Sequence, residues 1–208
     1  MIWRREVMSN SIESTEGILV PSRRALFASG SKLALSGVAV ALLARKDGLA
    51  ATMAKSGNAA GDCDILNVAL GLEQEAIVAY QLGAESGLLK GAVLDTAVGF
   101  QSQHKEHASA LEATIKKLGG MPVMPKSNDD YAKALGAASL KTDIDVLKLA
   151  AKLEKGAANA YLGVIPSFSD PSLAQISGRL AADETMHWTV LAQALKLPLP
   201  MKALTFGA

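Results

Sequence analysis

At 208 residues the chain is long enough for one domain with a full core, and its length argues against several. Half the residues are hydrophobic but only 4% are aromatic. Ala, Leu and Gly make up the excess, a mix that suits closely packed helices and disfavours a β-sandwich. The net charge of +1 hides an asymmetry: residues 1–54 hold seven Lys+Arg against four Asp+Glu, and residues 55–208 hold fourteen against sixteen. The remaining domain is slightly acidic and has no basic stripe, which excludes a nucleic-acid partner.

The front segment reads as an export leader spanning residues 1–54. Ser22-Arg23-Arg24-Ala25-Leu26-Phe27 resembles a twin-arginine motif. The apolar run from Leu33 to Ala44 has the length of a signal core and is too short to span a bilayer. Arg45-Lys46 closes it, and cleavage after Ala50 or Ala54 is expected. The mature protein is therefore expected to be exported to the periplasm by the twin-arginine route, with no stable membrane insertion. A single cysteine, Cys63, rules out an intramolecular disulfide. Asp62 before it argues against lipid attachment, and the thiol is expected to have no role.

The domain itself, residues 62–197, reads as four long helices. Asp62 or Asp64 is placed to cap the first, which runs through Leu66, Ala69, Leu70, Glu73, Ile77 and Tyr80 at spacings of three and four. A turn near Gly87–Gly91 leads to the second, with Ala97, Phe100, His104, His107, Leu111, Thr114 and Leu118 on one face, stopped by Gly119-Gly120. About twenty residues of weak period follow, with a brief helical stretch from Ser127 to Leu135, a length suited to crossing from one end of a bundle to the other. Thr142-Asp143 opens the third helix, whose inner residues are Leu147, Ala150, Glu154, Ala157, Tyr161 and Ile165; Pro166 ends it. Ser169-Asp170-Pro171 starts the fourth, with Leu173, Ile176, Leu180, Glu184, His187, Leu191 and Ala194 inward. The fold expected is an all-α antiparallel four-helix bundle: two helical hairpins, one long crossover and a tail at 198–208.

An internal repeat carries the chemistry. Glu73 to Glu154 and Tyr80 to Tyr161 are shifts of 81, and His107 to His187 is 80. Seven residues are two helical turns, so each Glu/Tyr pair shares a face, as do His104 with His107 and Glu184 with His187. A glutamate on one helix and Glu-x-x-His on the next, given twice, is how helix bundles build two-metal carboxylate sites. One position departs: His104 stands where the second copy has Glu184. All these groups lie within the apolar stripes, where a carboxylate or imidazole is costly unless paired or metal-bound. Glu75, Glu106 and Asp183 sit one or two positions off the stripes and are expected on the solvated surface.

Leu72–Tyr80, Glu154–Tyr161 and Ala182–His187 resemble helices of the ferritin-like superfamily, in particular rubrerythrins, bacterioferritins and exported ferritin-like domain proteins. The resemblance covers about residues 62 to 197. It implies Glu73, His107, Glu154, Glu184 and His187 as metal ligands, with Tyr80 and Tyr161 bonded to carboxylates or facing the metals. It also implies a di-iron cofactor, or manganese or zinc, and redox chemistry such as Fe(II) oxidation or peroxide removal. With His104 in place of a bridging carboxylate, three carboxylates leave one positive charge of two divalent ions uncompensated. A two-metal site with His104 terminal, a one-metal site and an empty core all stay open, and the histidines move preference towards zinc or copper. The alternative function is a non-catalytic envelope protein, with His104 paired to Glu184 or Glu154 in a buried network. Met53, Met121 and Met124 could suggest copper binding by thioether, but read as loop packing. Trp188 reads as packing at a helix edge or at an oligomer contact, a homodimer being the simplest case.

Overall fold

The computed structural model describes residues 59–206; the leader, its cleavage positions and Met53 lie outside them. Among the described residues the chain is all-helical. The α-helices are α1 (Ala59–Glu85), α2 (Gly91–Lys117), α3 (Asn128–Leu135), α4 (Asp143–Val164) and α5 (Pro171–Ala194), with 3-10 turns at Ala137–Ser139 and Ile165–Ser167. None is long and apolar enough to cross a membrane.

The helix ends follow local chemistry. Thr142 and Asp145 form a capping box at the start of α4: the Asp145 amide donates to Thr142 Oγ1 at 3.2 Å, and the Thr142 amide to Asp145 Oδ2 at 3.0 Å. Asp170 accepts from the Ser172 amide at 2.8 Å, with Pro171 in the first turn of α5. Gly136 closes α3 in the left-handed region, at φ 66°. The start of α1 differs from expectation. The helix begins at Ala59, before either aspartate, and the buried Asp62 carboxylate accepts instead from the amides of Ser169 (2.8 Å) and Asp170 (3.3 Å). Those amides lead into α5, where helix N–H groups lack intrahelical partners. Asp62 thus ties the first helix to the start of the last.

α1 packs along α2 and α4 along α5, and α1 also touches α4 and α3. Two apolar clusters form the core. One contains Leu66, Leu70, Leu111, Ile115, Tyr161, Leu173 and Leu180. The other contains Tyr80, Leu89, Ala97, Leu147, Ala150, Trp188 and Leu191. Between them, on each long helix, lie the buried polar residues Glu73, His104, His107, Glu154, Glu184 and His187.

The connection after α2 covers the back of α1, and this decides several positions. Asn67 donates to the Met121 carbonyl at 3.0 Å and accepts from the Val123 amide at 2.7 Å. Gln74 donates to the Val123 carbonyl at 3.0 Å, and Tyr131 donates to Gln74 Oε1 at 3.4 Å. Glu75, expected in solvent, is consequently only 2% exposed. The same anchoring works through backbone groups, so Met121 and Met124 do not pack: they are 85% and 80% exposed. Ile176, expected inward, lies at the surface; Ser177 turns in and donates to the Tyr161 carbonyl at 2.8 Å. Trp188 is buried, its ring 4.9 Å from that of Phe206 in the C-terminal tail.

Candidate metal centre

Each long helix turns its polar residues to one face, because residues three, four and seven apart lie on the same side. His104 spans the middle. Its Nδ1 is 2.7 Å from Glu73 Oε2 and its Nε2 is 3.1 Å from Glu154 Oε1, while Glu184 Oε1 is 3.8 Å away. His107 and His187 turn their Nδ1 atoms inward. His107 Nδ1 is 3.2 Å from Glu184 Oε1 and 3.6 Å from Glu73 Oε2. His187 Nδ1 is 3.2 Å from Glu184 Oε2 and 3.4 Å from Glu154 Oε2. All six residues singled out by spacing are therefore brought together, and Glu184 lies between the two inward-facing histidines.

The tyrosines cross over. Tyr80, on α1, donates to Glu154 of α4; Tyr161, on α4, donates to Glu73 of α1. The sequence repeat thus appears in space as a reciprocal exchange between the two copies. The outer nitrogens of the other two histidines find partners that the periodicity did not single out. His187 Nε2 is 2.6 Å from Gln103 Oε1, and His107 Nε2 is 3.3 Å from Asp183 Oδ2. Asp183 is partly exposed, as expected of a residue beside the stripe, yet it reaches over the rim to His107. Glu106 faces solvent. Each outer contact can hold the Nε2 proton, so that a cation displacing the Nδ1 proton would meet a lone pair directed into the core, the arrangement that metal-binding histidines need.

The electrostatics follow from crowding six ionisable groups in a dry layer. Burial pushes the Glu73 carboxyl up, but hydrogen bonds from His104 and His107 outweigh it and hold it at about 2. Glu154 is likewise driven up by burial, yet is held well below the usual carboxylate range by His104 and His187. Glu184 is different: burial prevails, and the group sits at about 7 despite its two histidine neighbours. Burial depresses the imidazoles, but Glu154 and Glu73 raise His104 to about 11, and Glu184 and Glu73 raise His107 to about 10. His187 is raised by Glu154 and Glu184. Burial, then the adjacent carboxylates, push both tyrosines well above their ordinary value, so they are neutral donors.

The donor set fits a cation. Two overlapping groups have ligand atoms within 4.8 Å of one another: Glu73, His104, His107 and Glu184, and His104, Glu154, Glu184 and His187. Three buried atoms in this layer, His107 Nδ1, Glu154 Oε2 and Glu184 Oε1, make ion-pair contacts of 3.2 to 3.6 Å but no well-directed hydrogen bond. Buried polar atoms satisfied this loosely are costly, and a cation would satisfy them together. Nitrogen and oxygen donors in this mixture suit iron, manganese or zinc.

The family model of the ferritin-like domain matches residues 61–197, and the chain belongs to that family. No curated protein matches it significantly.

Proposed function

We propose that this protein is an exported ferritin-like metalloprotein whose core holds one or two cations for redox work, either Fe(II) oxidation or removal of peroxide. The observation that carries this reading is the pair of overlapping Glu/His quartets sharing Glu184 and His104. Glu73, His104 and His107 would hold one cation and Glu154 and His187 the other, with Glu184 common to both. Iron or manganese bound there would supply the one-electron steps that such reactions require. The protein's part is positional. Tyr161 and Tyr80 fix the rotamers of Glu73 and Glu154, Asp183 and Gln103 fix the tautomers of His107 and His187, and the Phe100 ring, 4.1 Å from that of His187, keeps water off one side. We read the four long helices as an antiparallel bundle crossed by the connection containing α3. The order in which the helices meet the two apolar clusters supports this: it reverses between α1 and α2 and between α4 and α5, and is the same in α2 and α4, on either side of the connection. Export rests on the Ser22–Phe27 motif and the apolar run after it.

Metal content per chain, measured by mass spectrometry on protein exported from a native-like host and never exposed to chelator, tests the reading. About two irons or manganese per chain is expected. One zinc or copper would indicate a site rearranged around the three histidines. No metal, even after anaerobic Fe(II) addition, would end the catalytic reading. A second reading is a non-catalytic bundle in which the cluster is a finished polar network. It is favoured by one observation: both nitrogens of His104 already have carboxylate partners. The two separate on His107→Ala. An enzyme loses turnover and stays folded, whereas a structural network has no turnover to lose and mainly loses stability.

A further inference from the structure

The second apolar cluster is not fully packed. It leaves a pocket of about 190 Å³, open on one side and lined from all four long helices and from Leu89 and Leu140. Among the described residues its walls are apolar side chains except for the hydroxyls of Tyr80 and Thr96, and both are committed. Tyr80 donates to Glu154, and Thr96 donates to the Ala92 carbonyl at 2.7 Å. Neither hydroxyl has a proton left to donate to a polar ligand, and apolar spaces of about 150 Å³ are large enough to bind benzene or xenon. Val93 and Val190, exposed members of the lining, place the opening between α2 and α5. The inner wall is made by Phe100 and Tyr80. Phe100 lies 4.1 Å from the His187 ring and Tyr80 5.4 Å from the His104 ring, centroid to centroid. One layer of aromatic rings therefore separates the cavity from the Glu/His layer.

We propose that this cavity is a binding site for a neutral apolar molecule about the size of one aromatic ring or a short alkyl chain, held against Phe100 and Tyr80. The chemistry excludes charged and strongly hydrated ligands, for which the walls supply no partner. That such a molecule is also a substrate brought beside the metal rests on the function proposed above; its binding does not.

The test is a titration of the full-length protein with toluene, followed by methyl NMR, with benzoate as the charged control of similar shape. Saturable shifts confined to the methyls of Val93, Val146, Leu147, Val190 and Leu191 are expected, with a rise in Tm, and no response to benzoate. Ala150→Leu should weaken toluene binding at least tenfold by occupying the space, and Val190→Phe serves the same purpose at the opening if the first variant does not fold. His187→Ala should still bind. Absence of saturable shifts in the native chain, shifts scattered over the surface, or native affinity in a folded blocking variant would overturn the proposal. Metal content reports on the function separately: a chain that binds toluene but no metal refutes only the metal reading, and the converse refutes only this one.

Discussion

His104→Glu isolates the one position where the two halves of the repeat differ. The substitution removes an imidazolium that bonds Glu73 at 2.7 Å and Glu154 at 3.1 Å, and puts a fourth carboxylate beside three. In the metal-free protein the loss of a partner from a buried ion pair costs about 3–5 kcal/mol. For a domain of this size that corresponds to a fall in Tm of roughly 10 °C. Metal acts in the opposite direction. In the native chain a cation must displace the proton that Glu154 and Glu73 hold on His104, whose pKa is about 11, before that nitrogen can bind. The variant replaces that imidazolium with a carboxyl, which crowding among three others also protonates but which, once its proton leaves, adds one more negative ligand. It should therefore bind Fe(II) or Mn(II) more tightly, and free metal at 100 times Kd should restore about 2.7 kcal/mol. Calorimetric melting of both proteins, anaerobically with and without Mn(II), measures the two effects together. A metal-free variant as stable as the native chain would show that His104 does not hold the carboxylates in place. A variant that melts lower and gains nothing from metal would refute the ligand role of this layer.

Four further outcomes follow from the same geometry. Tyr80→Phe and Tyr161→Phe each strip a donor from a buried carboxylate and should each cost about 1–3 kcal/mol in urea unfolding, by similar amounts because the two bonds are reciprocal. Metal-free stability should decline from pH 6 to pH 9. The raised histidines contribute fully below about 6.5 and lose that contribution as pH climbs through 10 and 11, and Glu184, at about 7, subtracts as it ionises. Below pH 4.5 stability should fall again as Glu73 is titrated towards 2. A melting temperature that rises between pH 6 and 9 would contradict this. Asp183→Asn should lower metal affinity about 10- to 100-fold in a competition titration, while Glu106→Gln, on the exposed face, leaves it unchanged. Gly120→Ala would bring a Cβ to 2.7 Å from Cys63 Sγ and 3.0 Å from Ile115 Cγ2. It should destabilise by about 1–3 kcal/mol, with much of that recovered in the Cys63→Ala background.

Periodicity alone determined the helices and the inward set of polar residues, because a helix turns by a fixed angle and an apolar stripe must face a core. The offset of 80 or 81 residues assigned Glu73, Glu154, His107 and His187 to matching positions. Caps at Ser127, Thr142 and Asp170 were legible because capping is a contact within four residues. Contacts between helices were not. Glu75 is buried because a connection distant in sequence lies over its face, and nothing in its own neighbourhood announces that. Asp62 serves a helix more than a hundred residues away, and Ser177 rather than Ile176 faces the core because Tyr161 offers a carbonyl there. Gln103 and Asp183 flank the stripes, and only the approach of α2 to α5 brings them onto His187 and His107. The crossing of the tyrosines, each to the glutamate of the other copy, and the apolar cavity beside Phe100 belong to the same class. Both depend on distances between faces that the sequence defines one at a time and that tertiary packing alone sets against each other.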